Sequence, residues 1–197
     1  MIKISDFIQR FPILFPEQAQ NAPWDITGQL PDFIRKLQQT LDDQYIINNE
    51  IAIHRSAVIE QGVVLKAPII IGPNCFIGAH AYLRGGVWLD SEVKIGPGCE
   101  LKTCMLFRNS AAAHFNFIGD SIIGEGVNFE AGSVIANHFN ERADKKIWLS
   151  FAGENIDTGV EKFGAVVGDG TKVGANAVLS PGTVLAPGTV IGRLELV

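Results

Sequence analysis

A parallel β-helix is the fold class this sequence predicts, and three observations predict it. An aliphatic residue falls on every sixth position of one stretch: Ile53, Ile59, Leu65, Ile71, Ile77, Leu83, Leu89, Ile95 and Leu101. Four positions after each of the first eight leads stands a small or aliphatic residue: Ala57, Val63, Ile69, Cys75, Ala81, Val87, Val93 and Cys99. Gly, Pro, Asn and Asp crowd the slots between, as in Ile71-Gly72-Pro73-Asn74 and Ile95-Gly96-Pro97-Gly98. The period returns at Val167, Val173, Leu179, Leu185 and Ile191. A six-residue period fits neither an α-helix nor an alternating strand, and it is the mark of a hexapeptide solenoid.

Each hexad supplies one short strand and one turn, and three hexads close a triangular coil of eighteen residues. The lead aliphatic and the small residue after it point inward, where the prism narrows at its corners. One coil cannot bury its own apolar face, so coils must stack. Stacking sets them about 4.8 Å apart, the spacing of hydrogen-bonded strands. Residues eighteen apart therefore lie one above the other.

Residues 1–50 do not repeat and are expected to form a small helical N-terminal cap. Ser5-Asp6 suits the start of a short helix ending near Phe11-Pro12. Pro31 suits the first position of a second helix, with Phe33, Ile34, Leu37 and Leu41 on one face. Such a cap would shield the open edge of the first coil and bury Phe15 and Trp24 against it. The β-helix spans residues 51–197. Its phase changes after Leu101, with five-residue steps from Leu101 to Leu106 and from Ile118 to Ile123. These steps bracket His114, and departures from an ideal pattern mark functional sites. A long insertion at about 138–165, polar at first, breaks the repeat. An excursion of that length in a compact solenoid is usually functional, and it is expected to cover a neighbouring site or subunit.

Composition narrows the classes. The 197 residues suit one main unit with an appendage, and a hydrophobic content of 47% can fill a long core. The net charge of −5 argues against a general binder of nucleic acid or of a membrane surface. No apolar run is long enough to span a bilayer, and the first residues carry no signal-peptide pattern. The three cysteines lack metal-type spacing. Cys75 and Cys99 fall in the inward slot and read as core thiols, which suits a cytoplasmic protein. The four histidines show no tight ligand spacing, so no metal is expected.

Two features carry chemistry. Lys66, Arg84 and Lys102 are spaced eighteen and eighteen, each directly after a lead. They should stack at one prism position on three successive coils. Facing like charges are destabilising, so the column makes sense against an anion. A phosphate fits, with Arg as a bidentate fork and Lys as a point charge. Three solvated heads splayed apart are the plainer reading. The second feature is the run from Ala111 through His114 to Asp120, where small residues leave space beside a histidine placed just before a corner.

From Leu83 to Asn137 the chain resembles the acetyltransferase domain of the N-acetylglucosamine-1-phosphate uridylyltransferase / glucosamine-1-phosphate acetyltransferase family. The resemblance rests on Leu83-Arg84-Gly85, Glu100-Leu101-Lys102, His114-x-x-Phe117-x-Gly119-Asp120-Ser121 and Val127-Asn128-Phe129-Glu130-Ala131-Gly132, leading to Asn137. Asp157-Thr158-Gly159, Lys162-Phe163-Gly164-Ala165 and Gly168-Asp169 resemble the archaeal-type sugar-phosphate nucleotidylyltransferase/acetyltransferases.

The resemblance implies a left-handed β-helix, a homotrimer, and acetyl-CoA bound between subunits. It makes His114 the general base. Arg84 and Lys102 become sugar-phosphate binders, joined by Lys66 from the column. Asn128 becomes a sugar contact and Asn137 a contact near the acetyl group, with the backbone around Ala131 near the thioester. Phe117 stands where the family has a phosphate-binding Tyr, and Glu130 where it has a Gly beside the coenzyme path. The loop lysine of the family matches Lys145 or Lys146 only loosely. The family's Gly-rich nucleotide loop is missing, so nucleotidyl transfer is not expected. The function expected is acetyl-CoA-dependent N-acetylation of a glucosamine-1-phosphate-like amino-sugar phosphate. The alternative is a non-catalytic sugar-phosphate or nucleotide-sugar binding module.

Overall fold

The computed structural model describes residues 2–151 and 153–197. The chain winds as a parallel β-helix, as the repeat predicts. One face is a seven-stranded sheet of two-residue strands, from Val58–Ile59 through Lys94–Ile95 and Asn128–Phe129 to Val190–Ile191. Seven strands on one face mean seven coils. The other two faces join into one eleven-stranded sheet. They join because Tyr82–Leu89, Glu100–Leu106 and Phe117–Ile123 run around the corner between them without a break. We call the faces first, second and third in chain order, so that Ile51–His54, Val58–Ile59 and Val64–Leu65 open them.

The lead residues fill the prism. Ile71, Ile77, Leu83, Leu89, Ile95 and Leu101 are fully buried in one column, with Cys75, Cys99 and Cys104 in the same core. Turns recur at fixed corners, and most corners hold a left-handed residue. Between the second and third faces these are Gly62, His80, Gly98, Phe115, Gly132, Asn176 and Leu194, all at positive φ. Gly and Asn adopt that conformation at little cost, which is why they crowd the slots between leads.

Both five-residue steps are present, but they share one corner. Ile77 pairs with Ile95 eighteen residues on, whereas Ile95 pairs with Ala112 and Ala112 with Phe129, seventeen on. The lost residue comes from the corner between the third and first faces. There Gly85-Gly86 on one coil opposes the single residue Thr103 on the next, and Asp120 follows above. The steps therefore re-aim Lys102 and Asp120. They leave His114, at a different corner, unaffected, contrary to the sequence expectation.

The helical part of the N-terminal segment lies along the side of the prism rather than over its open end. Residues just before the leads on the first face point outward and are apolar: Ala52, Ile70, Trp88, Met105, Ile122 and Val166. A helix α1 (Phe11–Leu14) and a helix α2 (Pro23–Gln38) cover that stripe. Ile26, Leu30 and Ile34, spaced four apart, form the buried face of α2. Phe15 is buried against Trp88 (ring centroids 5.1 Å) and Phe107 (6.2 Å), and Trp24 meets Phe163 (6.0 Å), all beyond the first coil. Each large apolar side chain so buried contributes about 1.5–3 kcal/mol.

Pro23, not Pro31, begins α2, and Pro31 sits inside the helix. Its ring packs onto Gly86, where an added Cβ would stand 3.1 Å from the Pro31 nitrogen. The open edge of the first coil is covered instead by Tyr45–Asn48, antiparallel to Ile51–His54. Asn49 and Glu50 link the two strands with positive φ at both, the geometry of a tight hairpin turn.

The insertion leaves and returns at the corner between the third and first faces. Its polar start is exposed. A hairpin of Trp148–Phe151 and Glu154–Asp157 follows, burying Ile147 and Leu149 in the cluster over the first face. The chain then rejoins the coils, with Phe163 N–H donating to Asn137 O (2.9 Å) and Gly164 N–H to Asp120 O (2.9 Å). Within the protomer the hairpin covers the chain's own first face.

Candidate functional site

The third face and its two flanking corners gather most residues that the sequence singles out. At the corner toward the first face, Arg84 pairs in register with Lys102. Lys66 N–H donates to Leu83 O, one residue before Arg84, which sets Lys66 directly beneath it. The predicted column of three cations therefore exists on one edge.

Its charges are largely balanced within the chain. Arg84 meets Glu100 Oε1 through Nη2 (2.6 Å) and Nε (2.8 Å). Lys102 Nζ lies 2.6 Å from Asp120 Oδ2, their side chains only 18% and 10% exposed. Each carboxylate comes from the coil above its cation, which relieves the repulsion facing like charges would suffer. Lys66 is exposed and makes no ion pair among the described residues. Asp120 also accepts a hydrogen bond from Asn137 Nδ2, and Asn137 Oδ1 meets His138 Nδ1 at 3.2 Å. Asn137 thus belongs to the cation corner.

The opposite corner carries His114, which is exposed. Its carbonyl accepts Gly132 N–H (2.9 Å), so Ala131 sits one coil above it. Ala131 N–H has no acceptor among the described residues. The His114 ring has no hydrogen bond among the described residues either. Its neighbour Phe115 is 73% exposed with φ +53°, rare for so bulky a residue. Gly98 beneath makes this possible, because a Cβ there would lie 2.6 Å from the Phe115 ring.

Glu130 rises from the same corner and is not a bare charge. Arg193 grips it from two coils higher (Nε to Oε2 2.9 Å, Nη2 to Oε1 3.2 Å), and Ala175 N–H donates to Oε2 (2.9 Å). These bonds, Arg193 first, hold its carboxyl below the usual carboxylate range. Phe117 lies half-buried on the third face between the corners, over Gly119, and supplies no hydroxyl. Asn128 is exposed on the second face, between Ala111 and Lys172.

A triangular prism is convex, so side chains at two corners diverge. Two cavities among the described residues lie elsewhere. One of about 600 Å³ sits between α1 and α2, beside Phe15, Phe33 and Lys36. Another of about 540 Å³ lies beside Arg10, Arg108 and Asp169. Among the described residues no three His, Cys, Asp or Glu side chains gather as metal ligands, and no helix is long and apolar enough to cross a membrane.

Sequence reasoning did not find Glu100, Asp120 or Arg193 as partners. Glu100 and Asp120 stand sixteen and eighteen residues beyond their cations, a spacing that signals contact once the coil length is known. Arg193 lies beyond the insertion from Glu130, so no fixed period relates them.

Residues 50–85 and 68–103 match the family profile for bacterial transferase hexapeptide repeats. A bifunctional protein GlmU of Methanococcus vannielii is 32% identical over 164 residues, covering 80% of this chain and 38% of that protein. A bifunctional sugar-1-phosphate nucleotidylyltransferase/acetyltransferase of Sulfurisphaera tokodaii is 33% identical over 140 residues, covering 71% and 34%. The chain thus spans well under half the length of these relatives. Among solved structures, PerB of Caulobacter crescentus in complex with CoA and GDP-perosamine aligns with TM-score 0.33 at 17% identity, covering 87% of this chain and 70% of that one.

Proposed function

For this chain, which belongs to the hexapeptide-repeat family, we propose acyl transfer from acetyl-CoA to the amine of an amino-sugar phosphate resembling glucosamine-1-phosphate. The observation that carries the reading is the single-edge column of Lys66, Arg84 and Lys102, ending at Asn137. The carboxylates that hold Arg84 and Lys102 keep them in place, and an incoming phosphate adds to a preformed array. The name of the Sulfurisphaera tokodaii relative, which joins a sugar-1-phosphate to acetyl transfer, supports the same substrate class.

A protonated amine is no nucleophile, so the first step is its deprotonation. His114, exposed at the opposite corner, takes that proton as a neutral imidazole. The amine then attacks the thioester carbonyl, forming the C–N bond and releasing the CoA thiolate, which is reprotonated. The free Ala131 N–H, one coil above His114, is placed to steady the oxyanion. Because the two corners diverge on one convex protomer, we place the complete site between copies of a homotrimer. The deciding experiment measures free CoA release across amino-sugar phosphates, for the native chain and for His114→Ala. Turnover lost in the variant supports the reading, and full turnover removes His114 from it.

A second reading is a sugar-phosphate or nucleotide-sugar binding module without turnover. The pairing of Arg84 and Lys102 with in-chain carboxylates, and the missing hydroxyl at Phe117, favour it. A catalyst must bind acetyl-CoA and gain thermal stability from it, whereas a module of this kind responds to the sugar phosphate alone.

A further inference from the structure

We propose that His138 is a second proton acceptor of this site, held in one tautomer by a hydrogen-bond chain that ends at Lys102; the inference rests on the acyl-transfer reading. The chain has a forced polarity. Lys102 Nζ can only donate, and it donates to Asp120. The Asp120 carboxylate can only accept, so it is the Nδ2 group of Asn137 that faces it. That fixes the Asn137 amide with Oδ1 toward His138. Because Oδ1 can only accept, His138 Nδ1 must carry the proton (3.2 Å). In the neutral ring Nε2 is then the bare nitrogen. It has no hydrogen-bond partner among the described residues, and His138 is exposed.

A base whose far nitrogen is fixed by a third group is the recurring arrangement for proton abstraction. His138 has it in the free protein, whereas no hydrogen bond orients the His114 ring among the described residues. His138 also stands at the corner that holds the cations. An acceptor whose phosphate lies against Lys66 and Arg84 therefore presents its amine along His138's own edge. The step balances simply. The ammonium gives its first proton to His114. The neutral amine then forms the C–N bond as the C–S bond breaks, and its second N–H proton passes to His138 Nε2. The His138 imidazolium hands that proton to the thiolate, and His114 releases the first to solvent. Asn137 and Asp120 act as positioning residues.

The test uses ring-nitrogen NMR on the full chain at a pH where imidazole is neutral, together with steady-state kinetics. His138 is expected to show a protonated Nδ1 and an unprotonated Nε2, and Asn137→Ala to restore the Nε2–H form that imidazole prefers in water. His138→Gln, at an exposed position, is expected to lower kcat about 100-fold with the acceptor KM unchanged. A protonated Nε2 in the native chain, or full kcat in His138→Gln, overturns the inference while acyl transfer stands. Should the native chain release no CoA with any acceptor, the acyl-transfer reading fails and the proton-acceptor role falls with it.

Discussion

Lys102 and Asp120 face each other across one coil step, Nζ to Oδ2 at 2.6 Å, and the same carboxylate oxygen receives Asn137 Nδ2. Asp120 adopts φ +45° to do so, at the shortened corner where an eighteen-residue coil becomes seventeen. One residue thus terminates the cation column, anchors the start of the insertion and, through its carbonyl, receives Gly164 where the insertion ends. Asp120→Asn removes the charge and leaves a mostly buried ammonium without a counter-ion. Breaking one side of such a pair costs about 3 kcal/mol, which a urea midpoint at pH 7 will report. Glucosamine-1-phosphate should raise that midpoint more in the variant than in the native chain, because the freed Lys102 gains an anion. An equal response in both would place the phosphate elsewhere.

Gly86 decides whether α2 can lie flat on the prism. Its φ is +91°, and an added Cβ would stand 3.1–3.2 Å from three atoms of Pro31. Gly86→Ala combines a disfavoured conformation with a contact against a rigid ring that cannot rotate away. About 2 kcal/mol of stability should be lost. The loss should appear as one cooperative unfolding step at lower temperature, since α2 shares its core with Trp88 and Met105. A separate early transition would mean instead that the helices unfold independently of the coils.

The inward half of each hexad was legible because burial acts on it directly: a polar lead cannot sit in a column that admits no water. The outward half was legible too, but only by comparison among faces. The slot before the lead reads Ala52, Ile70, Trp88, Met105, Ile122 and Val166 on the first face. On the second it reads Val58, Phe76, Lys94, Ala111, Asn128 and Lys172. One wholly apolar outer stripe demands a cover, and the N-terminal segment was the natural candidate. Reading that segment as an end cap missed this demand. The cation column was legible because eighteen-residue spacing is geometric. Its neutralisation was hidden, because a partner on the next coil is identified only once the lost residue is assigned to a corner.

The cysteines make a chemical test of the packed interior. Burial pushes the Cys75 thiol from 9.0 up to about 12, and raises Cys99 and Cys104 as well. A thiolate is the reactive form, so the native chain should resist a thiol reagent at pH 8 and expose three reactive thiols on denaturation. The linkage has a definite sign. Raised folded values favour the protonated, folded state, so this contribution is intact below about pH 9. It is lost between pH 9 and about 12, where the unfolded chain ionises first. Cys75→Ala should flatten the fall of stability across that window. Rapid labelling of the native protein would contradict a closed core.

Glu130 and Arg193 supply the last test, because their pairing offsets the negative charge that Glu130 would bring to the proposed coenzyme path. The carboxylate is held by Arg193 and by Ala175 N–H, so three coils share one charge-assisted contact. Arg193 itself is largely exposed, and salt screens such a pair. Arg193→Ala should leave Glu130 facing the coenzyme phosphates and raise the KM for acetyl-CoA by about fivefold at low salt. The effect should shrink as ionic strength rises. Glu130→Gln in the same background should bring KM back toward the native value, a coupling that a double-mutant cycle measures. The folded Glu130 pKa is lowered, so its bond to Arg193 is complete above the ordinary carboxylate range and is lost as pH falls through the depressed value. An Arg193→Ala KM that is unchanged, or indifferent to salt, would place the coenzyme phosphates away from this corner.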